Sequence, residues 1–419
     1  MLVRRLLVYV WCLLAAVLRL SWRLSTNVLL RRRQSLGVIF SRTVAELFQA
    51  LGPTYLKLGQ LLASRADLIG QEFFEQLVPL FDQLPPIPLE HVREIWQSEF
   101  GESLETTFEQ FEPLPVASGS VASVFRARLR GGRMVAVKIQ RPGLVQVAEA
   151  DFLFLRLGAR FVSLFPPFHY LPVRESVDEM ISCIRGQFDF GREVESCNRV
   201  RAALVWESSV VVPEIIDHLC GKRVLTMRLV EGLIPQQRLV DAGRQDALRS
   251  ALQAFYRLVF VEGLVHCDLH PGNLYLLSNG AAVLLDFGFT AELSEHDRLR
   301  FAEFFFAMAT GDGQCCADIA VKMAATIPAH FDALAFEADI SQVVDEAHGS
   351  LVKDFQVGRF VAGMFDVQRR HRLKSTTAFT MVALGLLVFE GLINQVDPEL
   401  DFQQVAQPYI FRASVIGVV

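Results

Sequence analysis

The spacing of hydrophobic positions first predicts a long helical region at the amino-terminal end of the chain. Residues 1–24 form one apolar helical pattern, and helical periodicity continues from residue 38 to about residue 110. Prolines at positions 85, 86 and 88 interrupt the second region, and a new helix is predicted to begin near Leu89. This part of the chain is therefore expected to be helical.

The periodicity then changes to that of strands. Val121–Leu129 and Met134–Gln140 are apolar alternating runs around an Arg-Gly-Gly-Arg turn, which predicts an antiparallel hairpin. Short strands are predicted at 210–212 and 223–229, and a second hairpin within 273–287, while the rest of the carboxyl-terminal part is largely helical. This order predicts an α+β fold with a small half that carries a sheet and a larger helical half.

Composition narrows the class of protein. The 419 residues are 52% hydrophobic with a mean hydropathy of +0.32, but the longest charge-free stretches, 269–285 and 375–389, are too short for a bilayer span. The seven cysteines form no C-x-x-C pair, so neither a disulfide framework nor a zinc site is predicted. A large buried core in a reducing compartment fits these features, and no nucleic-acid partner is expected.

Positive charge is concentrated at the amino terminus. The first 42 residues hold eight arginines and no acidic residue, and the rest has 33 basic and 46 acidic residues, a net charge of −13. The apolar run Leu6–Leu18 is short for a span and is flanked by arginines, with Trp11 and Trp22 nearby. No small-residue cleavage pattern follows it, which disfavours a signal peptide. We expect residues 1–35 to form a basic amphipathic helix that lies on anionic lipid, with the arginines at 31–33 adding to the attraction. The protein is then expected at the cytoplasmic face of a membrane, either peripheral or N-terminally anchored.

Two segments carry the residue types of a phosphoryl-transfer site. Asp268 and Asn273 lie in the sequence His-Cys-Asp-Leu-His-Pro-Gly-Asn, which has the spacing of the kinase H-R-D-x-x-x-x-N loop. An Asp-Phe-Gly sequence begins at Asp286, thirteen residues after Asn273. Phosphoryl transfer needs an acidic group beside the attacking oxygen and oxygen ligands that hold magnesium against the phosphates. We therefore predict Asp268 as the catalytic base and Asn273 and Asp286 as magnesium ligands.

The first predicted hairpin supplies the residues expected to bind the nucleotide. Lys138 lies in Val-Ala-Val-Lys, a strand pattern in which the ammonium group pairs with ATP phosphates. Glu193, in a later helical pattern, is the candidate partner of Lys138, although 54 residues intervene. A loop of small residues precedes the strand, and its backbone is expected to approach the phosphates although it does not spell G-x-G-x-x-G. The candidate residues in this loop are Ala117, Ser118, Gly119, Ser120 and Val121.

These motifs resemble the UbiB family of atypical, kinase-like proteins. The resemblance covers roughly residues 40–410. It includes the motifs around Lys138, Asp268 and Asp286 and three segments of the helical region, all in the family's order. The three segments are Gly52–Gln60, Ser64–Leu68 and Asp82–Pro86. It implies a two-lobed protein-kinase-like fold with an N-terminal helical KxGQ extension that binds ATP and Mg²⁺. It also implies a membrane-associated kinase or ATPase that supports isoprenoid-quinone (ubiquinone) or related lipid metabolism.

The resemblance assigns Lys57 and Gln60 of the extension to the mouth of the active site, as catalytic residues. Two positions depart from the family's pattern. Gln187 stands where the family usually has Glu, so it can hydrogen-bond but cannot pair with Lys57 as an ion. Gly119 stands where the loop usually carries Ala, which frees the backbone. Both departures are expected to loosen the hold of the extension on the site.

Four parts are predicted along the chain: the membrane helix 1–35, the KxGQ extension 36–112, an N-lobe with inserted helices at 113–232, and a helical C-lobe at 233–419.

The resemblance implies a quinone precursor or prenyl lipid and lipid-biosynthesis proteins as partners. Two other functions stay open: a small-molecule phosphotransferase of the aminoglycoside or choline kinase type, which lacks the extension, and a non-catalytic nucleotide-gated lipid-binding protein. The phenylalanines at 304–306 predict core packing, with an apolar groove for a prenyl tail as the alternative.

Overall fold

A computed structural model describes most of the chain. The described residues are 2–29, 35–63, 85–165, 173–234, 245–267, 269, 272–348, 357–376, 379–380, 382–383, 385–387, 389–390, 397 and 400–416. The chain divides into two compact units, one of Met1–Val194 with Ile215–Leu229 and one of Glu195–Glu214 with Val230–Val419. The four predicted parts stay a prediction.

Three helices open the first unit: α1 (Leu2–Leu29), α2 (Leu36–Leu51) and α3 (Pro53–Ala63). The Ser35 hydroxyl accepts a backbone N–H from the first turn of α2, which satisfies a donor that has no partner within the helix. Gly52 ends α2 with a φ of 95°, a backbone conformation that residues with side chains rarely adopt. The helical pattern predicted for the start of the chain is confirmed over these residues.

An antiparallel sheet forms the centre of the first unit. The strands in this half of the chain are β1 (Phe108–Phe111), β2 (Ala117–Ser118), β3 (Ala122–Leu129), β4 (Met134–Gln140), β5 (Val210–Val211) and β6 (Val224–Arg228). The sheet has the order β1-β3-β4-β6, with β2 on β3, and β5 belongs to the second unit. Strands β3 and β4 pair antiparallel around the Arg-Gly-Gly-Arg turn, so the first predicted hairpin is confirmed.

Helix α4 (Leu89–Phe100) and the single turn α5 (Leu104–Thr107) precede this sheet and help to form its core. The fully buried Trp96 of α4 lies with its ring centroid 4.8 Å from that of Phe108, and Phe111 lies 5.4 Å from Phe125. The prediction of helix to about residue 110 is therefore wrong at its end. Aromatic packing across β1 and β3 favours a strand where the local pattern suggested a helix.

Three more helices follow the sheet: α6 (Leu144–Val162), α7 (Val173–Gly186) and α8 (Phe190–Ala203). Helix α3 packs against α6 and α7, and α1 also contacts α6. The carboxylate of Asp151 in α6 is fully buried. A buried carboxylate needs an ionic or hydrogen-bonding partner, because its desolvation is otherwise costly.

Arg5 of α1 supplies that partner. Its Nε lies 2.6 Å from Asp151 Oδ1 and its Nη2 lies 2.8 Å from Oδ2, a bidentate pair. Burial lowers the pKa of Arg5, but the hydrogen bond and charge of Asp151 outweigh it, so the pKa is raised overall. Tyr9 also donates to Asp151 and bonds to the hydroxyl of Tyr55, whose pKa burial raises to about 12. These contacts fix α1 onto the rest of the first unit.

Two faces of α1 differ in character. Arg5, Tyr9, Ala16 and Arg23 lie on the face that packs against the protein, and Arg23 pairs with Glu46 of α2 at 2.6 Å. The opposite face is an exposed apolar stripe at helical spacing, made of Val3, Leu7, Trp11, Leu14, Leu18 and Trp22. Two of the eight amino-terminal arginines, Arg5 and Arg23, therefore bind acidic residues of the protein. Over the described part of the chain, none of the helices combines the length and apolarity needed to cross a membrane.

After β5, the second unit continues with helix α9 (Gln245–Tyr256), which leads into a π-helical turn at Arg257–Glu262. Four short strands follow: β7 (Leu264–His266), β8 (Leu274–Leu276), β9 (Ala282–Leu284) and β10 (Thr290–Glu292). Strands β8 and β9 form the second predicted hairpin, and β5 pairs parallel to β9. Strands β7 and β10 pair with each other and were not predicted, because three buried residues carry no alternating pattern.

Helices form the remainder of the second unit. They are α10 (Glu295–Thr310), α11 (Gly313–Lys322), α12 (Ala333–His348), α13 (Val357–Arg370) and α14 (Phe402–Ile416), with the short pair β11 (Ala324–Thr326) and β12 (Lys374–Ser375). Helix α10 begins at a capping residue, Ser294, whose hydroxyl accepts the N–H of Asp297. Helices α10, α11, α12 and α13 pack in sequence, and α14 returns to α10.

A cavity of about 520 Å³, partly open to solvent, is lined by residues of α10, α13 and α14 and by Phe379, Val382, Ala383 and Leu386. The phenylalanines at 304–306 line it, so they border open space as well as the core.

Candidate functional site

In the first unit the candidate site is centred on a buried ion pair. Lys138 Nζ donates to both carboxylate oxygens of Glu193, at 2.7 and 2.9 Å. Both residues are buried, and the ammonium group lies 5.3 Å from the centre of the Phe190 ring. Strand β4 and the first turn of α8 thus bring together two residues that the sequence suggested as partners. Their role toward a nucleotide stays a prediction.

The loop of small residues forms a tight turn between β2 and β3. Ala117 and Ser118 pair with β3, and the Gly119 N–H donates to the Ala122 carbonyl at 2.9 Å. Gly119 does not have a positive φ, and an added Cβ would meet only that carbonyl oxygen, at 4.0 Å. Alanine would therefore fit at this position. The structure gives no conformational reason for glycine, and Ser120 and Val121 are buried beneath the turn.

Arg141, which was not predicted, holds this turn in place. Its Nε donates to the Gly119 carbonyl at 3.0 Å, and its Nη2 donates to the Ser118 hydroxyl at 3.0 Å and the Pro85 carbonyl at 2.9 Å. Burial lowers the pKa of this guanidinium. The signal in the sequence was an arginine directly after the strand that carries Lys138, in Gln-Arg-Pro-Gly. One side chain thus joins the small-residue turn to the segment that precedes α4.

The two residues assigned to the extension lie on α3 of the first unit. Lys57 and Gln60 are one turn apart on α3, and Gln60 Oε1 is buried with no hydrogen-bond partner among the described residues. Gln187 is buried after the end of α7, next to Phe188, whose carbonyl accepts a 2.7 Å bond from the Gln140 side chain. The catalytic role of Lys57 and Gln60 stays a prediction.

In the second unit the β8–β9 hairpin brings the two predicted magnesium ligands together. Asn273 directly precedes β8, and Asp286 follows β9 by two residues, at the same end of the hairpin. The backbone N–H of Leu285 donates to the Asn273 carbonyl at 2.9 Å, which continues the pairing up to this point. The turn at Ser-Asn-Gly fixes the register of the β8–β9 hairpin. The register matters, because a shift by one residue would move the side chains of one strand to the other face.

The backbone of Asp286 has a φ of 56°, one of two positive values among the described residues other than glycine. This left-handed conformation is uncommon for residues with a Cβ, and Asp and Asn tolerate it best. The side chain stabilises it locally, because Asp286 Oδ1 accepts the Gly288 N–H at 3.2 Å. Strain of this kind is concentrated at functional sites.

His266 supports the segment that leads to Asp286. Its Nε2–H donates to the Leu285 carbonyl at 3.1 Å, and its ring lies edge-on to Phe287 with centroids 5.2 Å apart. The histidine is buried, and these two contacts give it a structural role. Asp268, the predicted base, lies outside the described residues.

The donor set suits magnesium. Asn273 and Asp286 offer an amide and a carboxylate oxygen, and Mg²⁺ is usually held by one or two such groups together with water and substrate phosphates. No group of three or more His, Cys, Asp or Glu side chains that would hold a metal alone occurs among the described residues. The amide and carboxylate oxygens of Asn273 and Asp286 are of the ligand types that fit an ion arriving with a phosphate ligand.

Comparison with known proteins defines the class. The ABC1 atypical kinase-like domain matches residues 79–320, and the UbiB helical domain matches residues 340–401. The solved complex of Rv3197 with erythromycin from Mycobacterium tuberculosis aligns with a TM-score of 0.59 and 21% identity, over 84% of this chain and 91% of that one. The predicted two-lobed, protein-kinase-like α+β fold is confirmed.

Relatives in bacteria place the chain more narrowly. The protein named "Probable protein kinase UbiB" of Xylella fastidiosa strain M23 is 32% identical over 377 residues, which cover 87% of this chain and 68% of that protein. The protein of the same name from Aeromonas hydrophila subsp. hydrophila is 29% identical over 373 residues, with the same coverages. The chain belongs to the UbiB family of ABC1 atypical kinase-like proteins.

Proposed function

We propose that this protein binds ATP and Mg²⁺ and acts as an atypical kinase or ATPase. The buried Lys138–Glu193 pair is the single observation that carries the proposal. A buried ion pair contributes little net stability, because desolvation offsets most of the attraction between the charges. Its presence in the sheet of a kinase-like domain supports a role in holding phosphate groups.

Each predicted residue has a role in this proposal. Lys138 would bind ATP phosphates while Glu193 orients its ammonium group, and Asn273 and Asp286 would hold magnesium. The bound ion would neutralise charge on the phosphates. Asp268 would accept the proton of the attacking hydroxyl or water. The turn at 117–121, held by Arg141, would cover the phosphates with its backbone.

ATP binding and turnover test this proposal directly. We expect calorimetry on the full chain to show ATP affinity at least about tenfold higher with Mg²⁺, because charge-assisted contacts contribute roughly 1.5–3 kcal/mol each. Phosphate release should then be measurable with phosphatidylcholine vesicles, with or without phosphatidylglycerol. Binding without release under any of these conditions would favour the non-catalytic, nucleotide-gated function. Absence of binding would overturn the proposal.

The cellular role that we propose is in isoprenoid-quinone, including ubiquinone, or related lipid metabolism at a membrane surface. The names of the bacterial relatives support this assignment. A quinone precursor or prenyl lipid and proteins of lipid biosynthesis are the proposed partners. The membrane contact would be made by the exposed stripe of α1, because Arg5 and Arg23 are bound to acidic residues of the protein.

Replacing both Trp11 and Trp22 by Gln should weaken vesicle binding by at least about tenfold. Their side chains are 74% and 72% exposed, and burial of one large apolar side chain contributes roughly 1.5–3 kcal/mol. Vesicle co-sedimentation measures the effect, and Trp206→Gln is the matched control because Trp206 is 83% exposed in the second unit. Equal loss in the control, or no loss in the double variant, would contradict a contact through α1. Substitution is preferable to deletion of α1, which would leave Asp151 without Arg5.

A further inference from the structure

Arg141 carries a positive charge that its own contacts do not balance. The three hydrogen bonds of its guanidinium go to neutral oxygens, which are the Gly119 and Pro85 carbonyls and the Ser118 hydroxyl. Among the described residues, no carboxylate forms an ion pair with it. Neutral donors could bond to the same oxygens, so holding the turn does not by itself require a charge.

The pKa of Arg141 agrees with an unbalanced charge. Burial acts alone on this guanidinium and lowers its pKa, whereas the bond and charge of Asp151 outweigh burial at Arg5 and raise its pKa. A partly desolvated cation without a counter-ion is costly. An anionic ligand would remove that cost.

The guanidinium also retains donors that could bind such a ligand. Arginine has five N–H groups in a planar fork, and the three bonds of Arg141 use those of Nε and Nη2. Nη1 has no acceptor among the described residues. Because the fork of arginine matches the spacing of phosphate oxygens, a phosphate group is the anion that these donors suit best.

The register of the sheet places this charge near the residues proposed to bind ATP. Ala117 pairs with Val124, and Val124 pairs with Lys138, so the three lie in one row across β2, β3 and β4. With neighbouring strands about 4.8 Å apart, the row spans about 10 Å. Arg141 directly follows β4, and its backbone N–H donates to the Val121 carbonyl at 2.9 Å. The small-residue turn and two cations therefore share one end of the sheet.

We infer that Arg141 is a specificity-determining residue that binds a nucleotide phosphate beyond the α-phosphate through Nη1, and so favours ATP over AMP. This role rests on the proposed binding of ATP. Each added phosphate group brings negative charge, and charges attract one another over about 8–10 Å at ordinary ionic strength. Lys138 would then share the phosphate chain with a second cation.

Calorimetry with ATP and AMP on the full chain, at low and high salt, tests this role. We expect Arg141→Gln to lower ATP affinity at least about tenfold, to change AMP affinity less than about threefold, and to weaken the salt dependence of ATP binding. Arg141→Lys should retain most of the ATP affinity, because it keeps the charge but not the fork. Arg133→Gln is the matched control, since it removes the same charge at an exposed position at the far end of the β3–β4 hairpin. Its ATP affinity should equal that of the wild type.

A purely structural role of Arg141 would give a different result. Equal losses of ATP affinity in the Gln and Lys variants, with the salt dependence of the wild type, would mean that Arg141 only ties the turn to Pro85 and would overturn the inference. Ser123→Ala loosens the same tie without changing charge, because the Ser123 hydroxyl accepts the Ile87 N–H at 3.3 Å, so it should keep the wild-type salt dependence.

The wild type separates this inference from the proposed function. If the wild type binds ATP and Arg141→Gln binds ATP and AMP as the wild type does, the role of Arg141 is wrong and the proposed function stands. If the wild type binds neither nucleotide, both are overturned.

Discussion

Asp286→Asn is expected to lower ATP turnover by about 10²–10³-fold, the usual effect of removing one group that stabilises transition-state charge. The substitution removes the carboxylate charge that would hold magnesium but preserves the shape of the side chain. Asn can still accept the Gly288 N–H, and it tolerates the φ of 56° better than most residues. The loss should therefore arise from the missing charge, with the local backbone unchanged.

Phosphate release at saturating ATP and a range of Mg²⁺ concentrations measures this effect. Asp312→Asn is the matched control, because Asp312 also accepts a backbone N–H, from Cys315, and Asn caps a helix as well as Asp does. Its turnover should equal that of the wild type. Equal turnover by wild type and Asp286→Asn would mean that Asp286 does not hold the metal. Asp286→Ala is less informative, because alanine at this φ adds backbone strain.

The local chemistry of the sequence was sufficient to predict the two hairpins that carry the candidate site. Each has a turn sequence between apolar runs, Arg-Gly-Gly-Arg in one and Ser-Asn-Gly in the other, and both pair as predicted. The pair β7–β10 was missed because strands of three residues, such as Leu264–His266, have no periodicity of their own. Pairing of such strands depends on the surrounding fold.

Side-chain partners far apart in sequence were the hardest to predict. The arginines of α1 were read as lipid-binding from their number, but Arg5 pairs with Asp151, 146 residues away. Arg141 was missed for the same reason, since its acceptors at Pro85 and Gly119 come together only in the folded unit. Lys138 and Glu193 are also far apart, by 55 residues, and were predicted because a strand lysine with a helix glutamate is a recognisable functional pattern.

Structural and functional roles of Lys138 can be separated by comparing a single variant with a double variant of the buried pair. Lys138→Met keeps the apolar stem and removes the ammonium group that donates to the buried Glu193 carboxylate. Breaking a buried pair in this way typically costs about 3–5 kcal/mol in free energy of unfolding. Replacing both partners with apolar residues of similar volume is often neutral or stabilising.

We therefore expect Lys138→Met to lower the free energy of unfolding of the first unit by about 3–5 kcal/mol, and Lys138→Met with Glu193→Leu to recover most of that loss. Affinity for ATP should fall roughly 10- to 100-fold in both, because the ammonium–phosphate contact is absent in each. Urea denaturation and calorimetry measure the two quantities on the same preparations. Recovery of ATP affinity in the double variant would show that the pair serves only to stabilise the sheet, since the loss in the single variant would then come from unfolding.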